Sequence, residues 1–120
     1  MVVRLQLFLL QYIERMPNKE TIIQRKVMVI ASEYGWIPYR MQVGTFYTTQ
    51  WTPIKIGLPG TPDLMLIGKD GKVIWFELKT KTGRLRDTQK NFIPILEKMG
   101  HKVYVIRSES DAIEALKENE

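Results

Sequence analysis

The 120-residue chain contains no cysteine and a single histidine, His101. Disulfide bridges, zinc-thiolate centres and thiol catalysis are thereby excluded, and a reducing intracellular setting, the cytoplasm, is the expectation. Long apolar runs are missing too. The most apolar stretch, residues 1–13, is broken by Arg4, Gln6 and Gln11, so nothing approaches the ~20 residues of a membrane span. A soluble chain with no targeting segment and no membrane partner is expected. Internal repeats and low-complexity segments are also absent. What is present, 44% apolar and 26% charged residues, is the composition of one globular domain. A chain of this length buries roughly 65% of its unfolded surface, enough for a core without covalent staples.

Acidic residues are scarce where they would matter. The chain has 18 Lys and Arg against 13 Asp and Glu, a formal charge of +5. Five of those acids (Glu109, Asp111, Glu114, Glu118, Glu120) lie in the last twelve residues with one base, Lys117, so residues 1–108 carry +9. Such a body suits a polyanion such as nucleic acid, the alternative being a basic surface kept for solubility.

Hydrophobic periodicity gives the order of elements. Residues 3–15 read as a helix whose Leu5, Phe8, Leu9, Tyr12 and Ile13 leave little polar face. Residues 1–17 are therefore set apart as an N-terminal apolar helix and candidate dimer element, and 18–120 as the main domain. After Pro17 and Asn18, apolar residues at Ile23, Val27, Ile30, Ala31 and Tyr34 mark a second helix, which Gly35 stops. Tyr39, Met41 and Val43 alternate with Arg40 and Gln42 as a strand. Residues 44–61 read as a long loop carrying Phe46, Tyr47, Trp51 and Lys55. Residues 63–67 and 73–79 form an antiparallel hairpin around Asp70-Gly71. A third helix spans about 87–99, with Phe92, Ile95, Leu96 and Met99 inward and a kink at Pro94. A strand at 103–106 and a final helix from about Ser110 complete the chain. Strand, helix, strand favours a parallel pair, so the fold class is α/β, with a mixed sheet flanked by helices.

Candidate chemistry clusters on the third strand. Glu77 and Lys79, two apart, share a face, and the hairpin brings Asp63 near Glu77. Two such carboxylates repel unless a cation lies between them, and hard oxygen ligands favour Mg2+ or Mn2+. The same residues also suit an exposed ion pair beside a turn acid. At 100° per residue, Glu20 falls about 20° from Val27 and Gln89 about 20° from Leu96, so each helix turns one polar side chain toward the core. Complementing a helix N-terminus is the plainer role for both. Lys81, Arg84, Arg86 and Lys90 follow Lys79 as a basic run suited to backbone phosphates.

Taken together, Gly60-Thr61-Pro62-Asp63 and Glu77-Leu78-Lys79 resemble the signature of the PD-(D/E)XK nuclease superfamily. Glu20, Tyr39-Arg40-Met41-Gln42-Val43-Gly44, Gly83-Arg84-Leu85, Gln89 and Gly100-His101-Lys102-Val103 are similar to its VRR-NUC branch. The resemblance implies a restriction-endonuclease-like αβββαβ core with a mixed four-stranded sheet, here with an extra N-terminal helix. It implies a Mg2+ or Mn2+ dependent DNA endonuclease for branched or junction DNA, acting as a homodimer. Asp63, Glu77, the Leu78 carbonyl and Glu20 are implied as metal ligands, Lys79 as the group that positions the attacking water, and Gln89 as its support. Arg40, Gln42, Lys81, Arg84, Arg86 and Lys90 are the expected DNA contacts. A catalytically silent DNA-binding protein or a sequence-reading restriction-type nuclease are the alternatives.

Overall fold

The computed structural model describes residues 2–15 and 22–120. Helices α1 (Val2–Glu14) and α2 (Ile22–Glu33) lead into β1 (Ile37–Arg40). A ribbon of β2 (Gly44–Tyr47) and β3 (Pro53–Ile56) follows, then β4 (Leu64–Ile67), β5 (Val73–Leu78), α3 (Asp87–Lys98), β6 (Lys102–Ile106) and α4 (Glu109–Glu118). The main sheet has the order β1-β4-β5-β6, antiparallel except for the parallel β5–β6 pair. The fold is therefore α/β with a mixed four-stranded sheet flanked by helices. Among the described residues no helix is long and apolar enough to cross a membrane.

The two faces of the sheet follow from the period of two along each strand. Leu64, Leu66, Ile74 and Phe76 project to one side, where Val27, Met28 and Ala31 of α2 and Ala112, Ala115 and Leu116 of α4 close over them. Phe76 has no solvent exposure, and its ring meets Tyr104 edge to face. Trp75 and Glu77 project to the other side, where α3 brings Gln89, Ile93 and Leu96. The β4–β5 turn forms because Asp70 and Gly71 both adopt positive φ, 57° and 74°, the geometry an Asp-Gly pair tolerates best.

Four expectations are corrected. The stretch 44–61 is not a loop throughout, because Gly44–Tyr47 pairs antiparallel with Pro53–Ile56. The strand expected at 39–43 is Ile37–Arg40, and its buried residue is Pro38 while Tyr39 is exposed. In α3 the inner stripe is Gln89, Ile93 and Leu96, which leaves Ile95 and Met99 in solvent; the helix turns toward the sheet through its polar Gln89. Finally, α1 is split: Leu9 and Ile13 are buried within their own chain, Ile13 in the core beneath α2, whereas Leu7, Phe8 and Tyr12 stay exposed.

Candidate active site

Asp63 sits one residue before β4. Because Leu64 pairs with Phe76, the next step outward sets Asp63 opposite Glu77 on the same face. The backbone fixes it from two sides: the Met41 N–H donates to the Asp63 carbonyl (2.9 Å), and the Leu78 N–H donates to Asp63 Oδ2 (2.8 Å). Main chain on both sides thus holds Asp63 at the mouth of the sheet, with the Leu78 N–H fixing its carboxylate.

Glu77 is only 1% exposed. A carboxylate so deeply buried requires partners, and its Oε2 has two: Gln89 Nε2 donates at 2.7 Å and Lys79 Nζ lies at 3.1 Å. Its Oε1 has none among the described residues. Burial first, and the Asp63 charge second, push the Glu77 carboxyl above the usual range, while Lys79 pulls it back. Two carboxylates are thus held together with one buried oxygen unsatisfied, an arrangement that a cation completes. The hard oxygen donors fit Mg2+ or Mn2+. Among the described residues no three His, Cys, Asp or Glu side chains form a metal-holding group; Glu20, the third acid expected from the sequence, lies outside the described residues.

Gln89 performs both roles that its position suggested. Its Oε1 accepts from the Arg86 N–H (2.8 Å) and so caps the first turn of α3, while its Nε2 reaches Glu77. The helix N-terminus and the buried acid are thereby fastened by one side chain. The chain arriving at Asp63 must cross this same turn. It does so at Gly60, where φ is +93° and an added Cβ would stand 2.2 Å from the Thr88 carbonyl oxygen. Only glycine fits there.

Lys81, Arg84 and Arg86 lie exposed on the connection from β5 to α3, with Lys90 exposed one turn into the helix. They follow Lys79 along the loop and into the first turn of α3. The structure does not bring Arg40 and Gln42 there: Arg40 pairs with Leu64, hence shares the opposite face from Asp63, and both line a groove with Phe8, Leu9 and Tyr12. Sequence reasoning missed Arg107. Its Nη1 donates to the carbonyls of Thr80 and Gly83, both at 2.7 Å, and at 3.4 Å to that of Lys81. One guanidinium at the end of β6 thus shapes the loop that follows Lys79.

A family model for the VRR-NUC domain matches residues 42–110, more than half of the chain. The chain belongs to the VRR-NUC family. The matched segment holds Asp63, Glu77, Lys79, Gln89 and Arg107, so the assembled cluster lies wholly inside the VRR-NUC region, and family membership carries a nuclease-type function. A solved structure described as a VRR_NUC domain is similar in fold, with a TM-score of 0.60 and 18% identity over 79% of this chain and 90% of its own. No curated protein matches the chain.

Proposed function

We propose that the chain is a divalent-metal-dependent endodeoxyribonuclease acting on branched or junction DNA as a homodimer. The observation that carries this reading is Glu77, buried with one oxygen bound by Gln89 and Lys79 and the other without a partner. Asp63, Glu77 and the main-chain carbonyl of Leu78 would hold Mg2+ or Mn2+, with Glu20 as a further ligand. Bound there, the ion supplies Lewis acidity that eases deprotonation of water and offsets phosphate charge. Lys79 sets a cation beside the reacting group, where negative charge grows in the transition state. Gln89 prevents the Glu77 carboxylate from rotating. Lys81, Arg84, Arg86 and Lys90 grip backbone phosphates, contacts that read position and shape rather than sequence. The groove of about 540 Å³ lined by Phe8, Tyr12 and Ile56 is the face offered to a second copy. Light scattering checks this, since a mass near 14 kDa that does not change with concentration refutes the dimer.

The deciding experiment incubates the full chain with linear, flapped and four-way DNA, with Mn2+ and with chelator. Cleavage of the branched forms with Mn2+ alone is expected. Asp63→Ala and Glu77→Ala should abolish cleavage with DNA affinity retained, because they remove ligands and not phosphate contacts. Wild-type rates in either variant would overturn the assignment.

A further inference from the structure

The β2–β3 ribbon has no part in the chemistry above, and its tip is unusual in two ways. Trp51 is 79% exposed. Its backbone also adopts φ 62°, a left-handed conformation that a bulky side chain seldom takes. The strain is not that of a loose end, because the turn is tied down from within. The Thr48 N–H donates to the Thr52 carbonyl (3.0 Å) and the Trp51 N–H to the Thr48 carbonyl (2.9 Å). The Thr48 hydroxyl accepts from the N–H groups of Gln50 (3.2 Å) and Thr52 (3.1 Å). Tyr47, 60% exposed, stands beside the indole with ring centroids 6.2 Å apart and planes tilted by 53°. A rigid turn therefore displays two aromatic rings in solvent at a cost in backbone energy.

Resting on the nuclease reading, we propose that this tip is a stacking platform for unpaired nucleobases of the DNA substrate, with Trp51 and Tyr47 making the contact. Stacking on aromatic rings accepts any base, since every base has a π face, and bases in a duplex are shielded from it. The charge of this stretch admits a nucleic acid, with Lys55 as the one charged residue of the ribbon. No Asp or Glu occurs between Glu33 and Asp63, and the charged residues in that interval are Arg40 and Lys55. Nothing on the ribbon repels a phosphodiester backbone.

The ribbon is also joined to the site. Beyond Ile56 the chain crosses the first turn of α3 at Gly60 and reaches Asp63. The strand Pro53–Ile56 is extended over about 13 Å, a reach of about four nucleotide steps along one strand of B-form DNA, and it carries the tip away from the ribbon's base. In the proposal the active centre and the platform engage one substrate: a paired arm at the basic loop, and splayed bases at the tip. The tip thus contributes to the choice of branched over linear DNA.

The test measures binding of the full chain, in chelator so that nothing is cut, to a blunt duplex and to a flapped duplex of equal charge. Trp51→Ala and Tyr47→Ala should each weaken binding to the flap roughly tenfold and leave blunt-duplex affinity unchanged. Trp51→Phe should restore most of the loss. Because Trp36 and Trp75 are buried, the flap should quench tryptophan emission in the wild type and not in Trp51→Ala. Equal weakening on both DNAs, or no weakening, overturns the platform. So does a fall in molar mass of Trp51→Ala with flap preference intact, which assigns the tip, and not only Ile56 at the ribbon's base, to a subunit contact. A wild type that binds neither DNA overturns the nuclease reading together with the platform, whereas wild-type binding unaltered by Trp51→Ala removes the platform alone.

Discussion

In the sheet body, Val27, Leu64, Leu66 and Phe76 have no solvent exposure, whereas every residue from Gln42 to Pro59 is exposed. Both regions use antiparallel pairing, yet they are stabilised differently. In the body, strands are cemented by side chains from two helical layers. In the ribbon, backbone hydrogen bonds and a locked turn do the holding, and a lone two-stranded hairpin is marginal in water. The difference teaches where each kind of work is placed. Fixing two carboxylates against their mutual repulsion requires a rigid, dry frame, and Glu77 stands on the central strand β5. The platform proposed for the ribbon requires reach and open surface instead, and residues 42–59 are exposed throughout.

The contrast is broken most directly by substitution in both regions. Phe76→Ala should cost about 3–5 kcal/mol through lost burial and a cavity, whereas Trp51→Ala should stay within about 0.5 kcal/mol. Chemical denaturation of the two variants measures it, and comparable losses would show that the ribbon belongs to the cooperative unit. Gly60 is the joint between the regions. Gly60→Ala should cost about 1–3 kcal/mol from the left-handed backbone alone. Cleavage should fall as well, since relief of the contact with Thr88 moves the turn that carries Gln89.

Protons sharpen the comparison further. The folded-state pKa of Glu77 is raised by burial and by Asp63, so the folded protein holds this proton more tightly than the unfolded chain does. Its contribution to stability is then complete below the unfolded value, about 4.3, and is lost as pH rises through the raised folded value. Without metal, Glu77→Gln should match the wild type in acid and exceed it increasingly toward neutral pH. Trp51→Ala should track the wild type throughout. Melting temperatures across that range, with chelator present, decide it; parallel curves for Glu77→Gln and wild type would remove the raised pKa. The smallest effect is expected at the basic loop. Arg84→Ala with Arg86→Ala should lower the slope of log affinity against log salt by about one per contact, on flapped and blunt DNA alike.

Much of the body was legible in the sequence because burial leaves a periodic trace. The period of two placed Glu77 and Lys79 on one face, the helical angle turned Gln89 inward, and Asp70-Gly71 marked the hairpin. The ribbon left only a short trace, Ile54 and Ile56 about Lys55, since both of its faces meet solvent and no longer alternation of apolar residues is required. The inner stripe of α3 was misread for a related reason: Gln89 reaches Glu77, so the helix is oriented by a hydrogen bond, and Ile95 and Met99 fall outside. Arg107 was invisible because its partners are backbone carbonyls 24 to 27 residues away, and neither composition nor spacing records such a contact.

That last contact bears on how the substrate is met. Carbonyl oxygens are the negative ends of peptide dipoles, and a loop that aimed them outward would offset its own cations. By drawing the carbonyls of Thr80, Lys81 and Gly83 toward a single guanidinium, Arg107 offsets these partial charges within the loop's own hydrogen bonds. In the proposed nuclease an approaching phosphate would then meet Lys81, Arg84 and Arg86 with their field less offset, so that a residue outside the expected DNA contacts sets the polarity of the surface that carries them.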